Sequence, residues 1–304
     1  MHQNNICFCL PGIGANYQKA IGMLTKNHQA ALQALANRAE TAFGIKIMPF
    51  LLENRNADDL LTVWSSNYVC DYLTYQILEE RAIIPQVMLG YSMGLITCAA
   101  CSQAISFEDG IAVLREIIAY HQFEEAEAMV TVIGLGKEEI YSALEQVSMQ
   151  AKVFIACANN EYCHVLSGRE KDILSLVPGL EKRGALKIKR LETHFAFHSP
   201  YMRPGIEQYK MGLDKLSWQN CAVPLFSFIR QREIYSGEEM KEELMLNMYS
   251  AINMYAAVTQ LAKEKVDIFY ELGLLKGLTR IIKYICPDKQ SWCFTERYRS
   301  LDGL

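Results

Sequence analysis

The sequence predicts an α/β fold in which a parallel sheet flanked by helices is interrupted by a small inserted domain. Two observations predict it. Short apolar segments alternate with helical patterns along most of the chain, and between residues 126 and 195 the order changes to βαββαβ, the ferredoxin-like pattern. A length of 304 residues accommodates one large unit and one smaller unit. We therefore predict a large domain from residues 1–125 and 196–304, and a small domain from residues 126–195.

The first part of the chain alternates between strand and helix. The segment Asn5–Leu10 is short and apolar and ends at Pro11-Gly12, which is typical of a buried strand that enters a tight loop. A second short apolar segment leads directly into Gly90–Gly94. We predict a strand at Gln86–Leu89, and helices at Ala30–Phe43, Ser66–Glu80, Leu95–Ala104 and Phe107–Gln122.

The inserted segment and the last part of the chain complete the pattern. The insert is predicted as strand, helix, strand, strand, helix, strand, at Met129–Leu135, Lys137–Val147, Val153–Cys157, Cys163–Ser167, Glu170–Val177 and Ala185–Leu191. Helices and buried strands then resume. The predicted helices are Pro200–Lys215, Glu238–Tyr249, Met254–Glu264 and Lys276–Tyr284, and the predicted extended segments are Pro224–Phe228 and Val266–Leu272.

Composition excludes several classes of protein. Hydrophobic residues make up 51% of the chain and charged residues 21%, a balance that disordered and fibrous proteins lack. The net charge of -4 and the absence of a Lys/Arg cluster argue against nucleic acid as a partner. No apolar run approaches the roughly 20 residues of a membrane helix, so we expect a cytoplasmic protein without a membrane partner. The ten cysteines are scattered through apolar segments, which favours reduced, buried thiols.

The segment Gly90-Tyr91-Ser92-Met93-Gly94 has the form of a nucleophile elbow. It lies between a predicted strand and a predicted helix, where glycines allow a sharp turn and the serine Oγ is left exposed at the helix N-terminus. The Met93 amide at that helix end is a candidate donor to the oxyanion of a tetrahedral intermediate. We therefore take Ser92 as the candidate nucleophile.

A nucleophilic serine needs a base, and His198 is the best candidate among six histidines. It lies in Phe195-Ala196-Phe197-His198-Ser199-Pro200, on a predicted loop between a strand and a helix that begins with proline. In the absence of Ser92, a histidine flanked by aromatic residues would be taken as a packed side chain. No Asp falls in an obvious strand-end loop between the two, so a backbone carbonyl is the alternative partner for the imidazole.

Two other segments match known functional motifs only in part. The segment Pro11–Asn16 lacks both the full dinucleotide fingerprint and a Lys-Ser/Thr ending, so we expect it to supply a second oxyanion donor, the Ile13 amide. Cys98 and Cys101 have the spacing of a zinc or redox motif, but they lie inside a predicted helix and no second pair accompanies them. We predict neither a metal nor another cofactor.

Five segments together resemble the malonyl-CoA:acyl-carrier-protein transacylases and the acyltransferase domains of polyketide synthases. They are spread over most of the chain: Pro11–Asn16, Gly90–Gly94, Ala158–Asn160 with Val165–Gly168, Ala196–Pro200 and Tyr270–Gly273. The resemblance implies an α/β-hydrolase-like large domain, a ferredoxin-like insert, Ser92 as acyl carrier and His198 as base. It further implies that a backbone carbonyl steadies the histidine, and we assign this role to Ser250.

The chain departs from the family at positions that bear on the acyl group. Tyr91 stands where the family usually has His, and Asn67 where it has Gln. A gap-free count from Ser92 places Ile117 at the arginine that pairs with the malonyl carboxylate in the family, and an apolar side chain cannot hold a carboxylate. Helical spacing also fits Ile117 as a core residue. The expected acyl pocket comprises Tyr91, Ile117, Phe195, Phe197, Asn67 and Asn159.

These departures favour uncharged acyl thioesters. We expect a serine-dependent acyl hydrolase that removes such groups from acyl carrier protein, as free-standing hydrolases of trans-acyltransferase polyketide pathways do. The main alternative is an acyltransferase that loads carrier protein from malonyl-CoA or an unusual acyl donor, so acyl-CoA is a second candidate partner. A non-catalytic carrier-binding module and an unrelated esterase are further alternatives. The esterase would leave the matches at Pro11–Asn16 and Ala196–Pro200 unexplained.

Overall fold

The computed structural model describes residues 5–12, 17–120 and 125–301, which form two β-sheets surrounded by helices. The strands are β1 (Ile6–Leu10), β2 (Val87–Gly90), β3 (Glu127–Ile133), β4 (Val153–Asn160), β5 (Cys163–Arg169), β6 (Lys187–Arg190), β7 (Leu225–Phe226), β8 (Glu233–Ile234), β9 (Ile252–Asn253), β10 (Ile268–Glu271) and β11 (Gln290–Cys293).

The helices differ widely in length. They are α1 (Gln18–Ile21), α2 (Lys26–Phe43), α3 (Ile47–Glu53), α4 (Leu60–Glu79), α5 (Gly94–Cys101), α6 (Phe107–Tyr120), α7 (Lys137–Gln146), α8 (Glu170–Lys182), α9 (Ile206–Leu213), α10 (Gly237–Tyr249), α11 (Met254–Glu264), α12 (Leu278–Ile285) and α13 (Phe294–Leu301), with a 3₁₀ turn at Pro200–Met202. None of the helices that the structure describes combines the length and the apolar character that crossing a membrane requires.

The larger sheet is parallel, as the sequence predicts. Its strand order is β11-β10-β1-β2-β7-β8, and only the edge strand β8 runs antiparallel to its neighbour. Every residue of β2 and β10 is buried, which explains why these strands read as continuous apolar runs rather than alternating ones. Helices on the two faces bury them, and the main core forms around residues such as Phe8, Leu89 and Phe269.

The smaller sheet confirms the βαββαβ order of the insert. Strands β3 to β6 pair antiparallel in the order β6-β3-β5-β4, and α7 and α8 pack together over a separate core that includes Val132, Leu166 and Ile173. One strand was not predicted: β9 adds to the sheet in parallel with β4, although it lies well beyond residue 195. The boundaries at 126 and 195 therefore stay a prediction.

Two predicted helices differ from the structure for physical reasons. Helix α8 continues through Pro178 to Lys182, because Leu176 and Leu180 are buried and their packing offsets the hydrogen bond that proline cannot donate. The predicted helix Pro200–Lys215 is broken instead, since Gly205 adopts a left-handed φ of 83° between the 3₁₀ turn and α9. The short elements α1, α3, β8, β11 and α13 were also not predicted.

The cysteines are all free thiols, and most of them are buried. Cys98 and Cys101 lie on α5, where burial raises the pKa of both thiols. Within the described residues, no group of three or more His, Cys, Asp or Glu side chains has the arrangement of a metal site.

Candidate active site

The turn between β2 and α5 holds Ser92 in a strained conformation. Its φ is 54°, in the left-handed region that residues with a side chain rarely adopt. The flanking glycines are required by close packing: a Cβ on Gly90 would lie 2.4 Å from the Leu95 Cα, and one on Gly94 would lie 2.3 Å from the Leu10 carbonyl oxygen. The sequence Gly-Tyr-Ser-Met-Gly therefore folds into the predicted sharp turn.

His198 lies next to this turn. Its Nε2 is 2.8 Å from the Ser92 Oγ, within hydrogen-bonding distance. It is buried, and its φ of 59° is also left-handed. Two hydrogen bonds from backbone N–H groups hold the loop that carries His198. The His198 N–H donates to the Met248 carbonyl at 2.8 Å, and the Ala196 N–H donates to the side-chain Oε2 of Glu127 at 2.6 Å.

Burial determines the protonation state of His198. Loss of solvent lowers the pKa of its imidazole to about 4, because the charged form is poorly solvated in the interior. The backbone carbonyls of Asn247 and Ser250 act in the opposite direction and raise this pKa, Asn247 more strongly. Neither carbonyl forms a regular hydrogen bond with the Nδ1 atom of His198. His198 is therefore neutral near pH 7, the state that a general base requires.

The role of Ser250 in steadying His198 stays a prediction, and the residue whose carbonyl raises the pKa more strongly, Asn247, was not singled out from the sequence. Both residues belong to the end of α10, where the last carbonyls of a helix have no partner within the helix. These carbonyls form the negative end of the helix dipole, which favours a cation nearby. The end of α10 is therefore suited to stabilise the imidazolium that forms when His198 accepts a proton.

The predicted oxyanion donor, the Met93 amide, lies at the start of α5. Met93 is the residue that precedes this helix, and within residues 5–12, 17–120 and 125–301 nothing accepts its backbone N–H. Ile13, the second expected donor, lies outside the described residues, so its role stays a prediction. Its neighbour Gly12 is close to the elbow, since a Cβ there would lie 3.1 Å from the Tyr91 carbonyl oxygen.

A cavity of about 640 Å³ contains both Ser92 and His198 in its lining. One wall is aromatic: the rings of Phe195 and Phe197 stack with centroids 4.9 Å apart, and the Trp64 ring lies 5.6 Å from that of Phe195. Further apolar lining comes from Leu60, Met129, Val165 and Leu191. Apolar surface of this kind favours an uncharged ligand.

Polar residues from β6 and the loop after it line another part of the cavity. They are Lys189, Arg190, Glu192, Thr193 and His194. Lys189 and Arg190 are exposed, and the Arg190 guanidinium forms an ion pair with Glu170. These two side chains bring positive charge to a cleft whose interior is largely apolar.

Comparison with known proteins identifies the family. Residues 7–283 match the acyl transferase domain family. The chain belongs to this family. It is 25% identical over 293 residues to the malonyl CoA-acyl carrier protein transacylase of Bacillus subtilis, an alignment that covers 93% of this chain and 90% of the relative.

Solved structures of malonyl transacylases share the fold of this acyltransferase. The malonyl-CoA:acyl carrier protein transacylase of Xanthomonas oryzae has a TM-score of 0.89 at 18% identity, covering 100% of this chain and 99% of that one. A malonyl-transacylase in complex with a type II polyketide synthase acyl-carrier protein has a TM-score of 0.86 at 16% identity, covering 99% and 100%. The names of these relatives favour the acyltransferase alternative over the hydrolase that the departures led us to expect.

The structure brings together only some of the residues expected in the acyl pocket. Tyr91, Phe195 and Phe197 line the cavity with Ser92, Met93 and His198. Ile117 is not among the lining residues: it lies on α6 and is buried in the main core.

Asn67 and Asn159 also lie outside the cavity lining. Asn67 is buried on α4. Asn159 lies behind Tyr91, whose phenol donates to the Asn159 Oδ1 at 2.8 Å. This bond ties the elbow of the larger sheet to strand β4 of the smaller one. Asn159 therefore positions a cavity residue instead of touching the ligand space itself.

Three residues of the site escaped sequence reasoning: Trp64, Glu127 and Asn247. Each lies on an element far from the elbow in sequence, and none belongs to a motif. Glu127 carried the clearest signal, because a carboxylate at the start of an otherwise apolar strand is unusual when buried. By contrast, Glu271 of the Tyr270–Gly273 motif has a structural role. Its carboxylate accepts the N–H groups of Gly277, Leu278 and Thr279 at the start of α12.

Proposed function

We propose that this acyltransferase moves an acyl group between thioesters through an acyl-enzyme on Ser92. The observation that carries the proposal is the 2.8 Å contact between the Ser92 Oγ and the His198 Nε2 in the wall of a cavity. The partner is acyl carrier protein, whose phosphopantetheine arm enters the cavity, with acyl-CoA as the other thioester. Family membership and the names of the relatives support both partners.

The reaction proceeds in two balanced halves. His198 takes the proton of Ser92 as the Oγ attacks the thioester carbonyl, and the Met93 and Ile13 amides stabilise the oxyanion. The carbon–sulfur bond then breaks, and the imidazolium returns its proton to the departing thiolate. In the second half, His198 accepts the proton of an incoming thiol as its sulfur attacks the carbonyl carbon of the acyl-serine. The ester carbon–oxygen bond then breaks, and the imidazolium returns the proton to the Ser92 Oγ. The end of α10 stabilises the imidazolium in both halves.

The lining of the cavity favours an uncharged acyl group over malonyl. Phe195, Phe197 and Trp64 form an apolar wall. The family resemblance further implies that Ile117, which is not a lining residue, replaces the family's arginine. A carboxylate buried without a partner costs several kcal/mol in effective terms. Of the two cations in the lining, Arg190 is already paired with Glu170, and Lys189 is exposed to solvent, where it interacts weakly.

Hydrolysis is the second candidate, and Ile117 is the observation that favours it. The family resemblance implies that the arginine also helps to keep water from the acyl-enzyme. If water attacks the acyl-serine in place of a thiol, the product is a free acid. The same Ser92 and His198 would carry out both reactions, so only the acceptor distinguishes them.

Intact-mass spectrometry of both proteins distinguishes these outcomes. The enzyme is mixed with carrier protein that bears a free phosphopantetheine thiol, and acetyl-CoA, butyryl-CoA or malonyl-CoA is added in separate reactions. We expect the butyryl or acetyl group to appear on the enzyme and then on the carrier protein faster than malonyl does. Faster transfer of malonyl would overturn the selectivity. Loss of pre-formed butyryl-carrier protein to free acid, without transfer, would establish the hydrolase instead.

The Ile117→Arg variant provides a matched test of the acyl preference. Arginine is long enough to extend from the buried face of α6 beyond the reach of isoleucine, so we expect the malonyl occupancy of Ser92 to increase. The melting temperature is measured alongside, because an arginine that stays in the core without a partner would destabilise the fold. A stable variant with no gain in malonyl would show that position 117 does not control selectivity.

A further inference from the structure

The last turn of α10 contacts both members of the Ser92–His198 pair through two adjacent residues, Asn247 and Met248. The side chain of Asn247 donates from Nδ2 to the Ser92 carbonyl oxygen at 3.1 Å. The backbone carbonyl of the same residue acts on the His198 imidazole. The next carbonyl along the chain, that of Met248, accepts the His198 N–H at 2.8 Å. A single turn of helix thus holds the serine and the histidine at once.

The two residues need such support because both are strained. Ser92 and His198 have left-handed φ values of 54° and 59°, which residues with a side chain adopt at a cost of about 1 kcal/mol or more each. The Ser92 carbonyl accepts one further hydrogen bond, from the Leu95 N–H at 3.1 Å, which forms within the turn itself. The bond from Asn247 differs, because it joins the elbow to an element 155 residues away in the sequence.

We propose that Asn247 is a positioning residue that sets the distance between the Ser92 Oγ and the His198 Nε2. The inference rests on the proposed function, in which that distance governs proton transfer. Asn247 is 5% exposed and does not line the cavity, so it touches neither the acyl group nor the phosphopantetheine arm. Its effect should therefore fall on the rate of acylation and not on the affinity for substrate.

The Asn247→Leu variant tests this role, since leucine keeps a similar size but has no amide to donate. The rate constant for acylation of Ser92 by p-nitrophenyl butyrate is measured in a stopped-flow burst, and the dissociation constant of the substrate is obtained from the dependence of the burst rate on substrate concentration. We expect the acylation rate to fall about 10- to 100-fold, because small errors in the placement of reacting groups have effects of that size. The dissociation constant of the substrate should change less than twofold. Asn247→Gln keeps an amide donor and should restore part of the rate.

A matched control separates positioning from stability. Ser102 is buried, and its hydroxyl donates to the Ala99 carbonyl at 3.1 Å. The variant Ser102→Ala therefore removes a buried hydrogen bond that involves neither Ser92 nor His198. We expect this variant to keep the wild-type acylation rate. If Asn247→Leu does not fold, Asn247→Asp takes its place, because aspartate keeps the shape but its carboxylate would face the Ser92 carbonyl without a proton to donate.

The outcomes are distinct. The positioning role would be overturned if Asn247→Leu acylates at a rate within threefold of wild type. The same criterion applies to Asn247→Asp if the leucine variant does not fold. An equal fall in the Ser102→Ala control would overturn it too. Failure of the proposed function itself would appear differently: the wild-type enzyme would show no burst and no butyryl adduct on Ser92.

Discussion

At the scale of single residues, the site combines a strained serine with a histidine that burial keeps neutral. Ser92 has a left-handed backbone and lines the cavity, and His198 keeps an unprotonated Nε2 because its ring has lost solvent. An aspartate partner would raise the pKa of the imidazole strongly. The carbonyls at the end of α10 raise it less, which leaves the ring ready to accept a proton at neutral and mildly acidic pH.

This protonation state predicts the pH dependence of acylation. Because the pKa of His198 is lowered to about 4, the neutral base persists as pH falls and is lost only near that value. We expect the rate of Ser92 acylation to stay nearly constant from about pH 8 to pH 5.5 and to decline below that. Burst kinetics with p-nitrophenyl butyrate across this range provide the measurement. A decline centred near pH 6.5 would show that His198 titrates as an exposed histidine does.

At the scale of elements, the elbow depends on glycines that no other residue can replace. A Cβ on Gly94 would lie 2.3 Å from the Leu10 carbonyl oxygen and 2.4 Å from that of Pro11, both of them backbone atoms that cannot move aside cheaply. We expect Gly94→Ala to lower the free energy of unfolding by about 2 kcal/mol or more and to abolish acylation. Thermal melting and burst kinetics measure the two effects.

Helix α8 supplies the control for that substitution. Gly179 lies inside this helix, and a Cβ there would meet nothing within 4 Å. Since alanine has a higher helix propensity than glycine, Gly179→Ala should stabilise the protein by up to about 1 kcal/mol and leave acylation unchanged. If Gly94→Ala and Gly179→Ala lowered the free energy of unfolding equally, the close approach of the Leu10 and Pro11 carbonyl oxygens would not be the reason that the turn needs glycine at position 94.

The elements also show where sequence reasoning succeeds. Local patterns predicted the elbow, the βαββαβ order and most helices, because apolar periodicity and glycine placement are properties of the local chain. They did not predict β9, whose two residues become a strand only by pairing with β4. They ended α8 at Val177 because the effect of Pro178 is local, whereas the burial of Leu180 that offsets it depends on the packed fold.

At the scale of the whole molecule, the cavity lies between the elbow of the larger sheet and strands of the smaller one. Its lining takes Ser92 from the first and Met129, Val165 and Lys189 from the second. Ser92 and His198 could be predicted because each lies in a motif. Asn247 and Glu127 could not, since their roles arise only when distant segments meet. The same reason applies to Ile117, which was expected in the cavity and lies in the main core: a count along the chain gives its alignment but not the place where its side chain packs.

The charged part of the cavity predicts how carrier protein is recognised. Lys189 is exposed on β6 in the cavity lining, where it can meet an acidic partner. We expect Lys189→Glu to raise KM for butyryl-carrier protein several-fold, more at low salt than at high salt, because like charges would then face each other. KM for butyryl-N-acetylcysteamine, which has no carrier protein, should stay unchanged.

A charge-matched control completes this experiment. Lys26 is exposed in the first turn of α2 and does not line the cavity, so Lys26→Glu makes the same change in net charge elsewhere on the surface. It should leave both KM values near wild type. Equal effects of the two variants would indicate that net charge, and not the residues of the cleft, controls the encounter with carrier protein.

The central claim, a covalent acyl-enzyme on Ser92, is tested most directly by mass spectrometry of the enzyme after brief mixing with butyryl-CoA. We predict that the wild-type protein gains the mass of one butyryl group, that peptide mapping locates it on Ser92, and that added carrier protein removes it. Ser92→Ala should melt at the wild-type temperature and gain no mass. An acyl group found on another residue, or continued transfer to carrier protein by Ser92→Ala, would contradict the account.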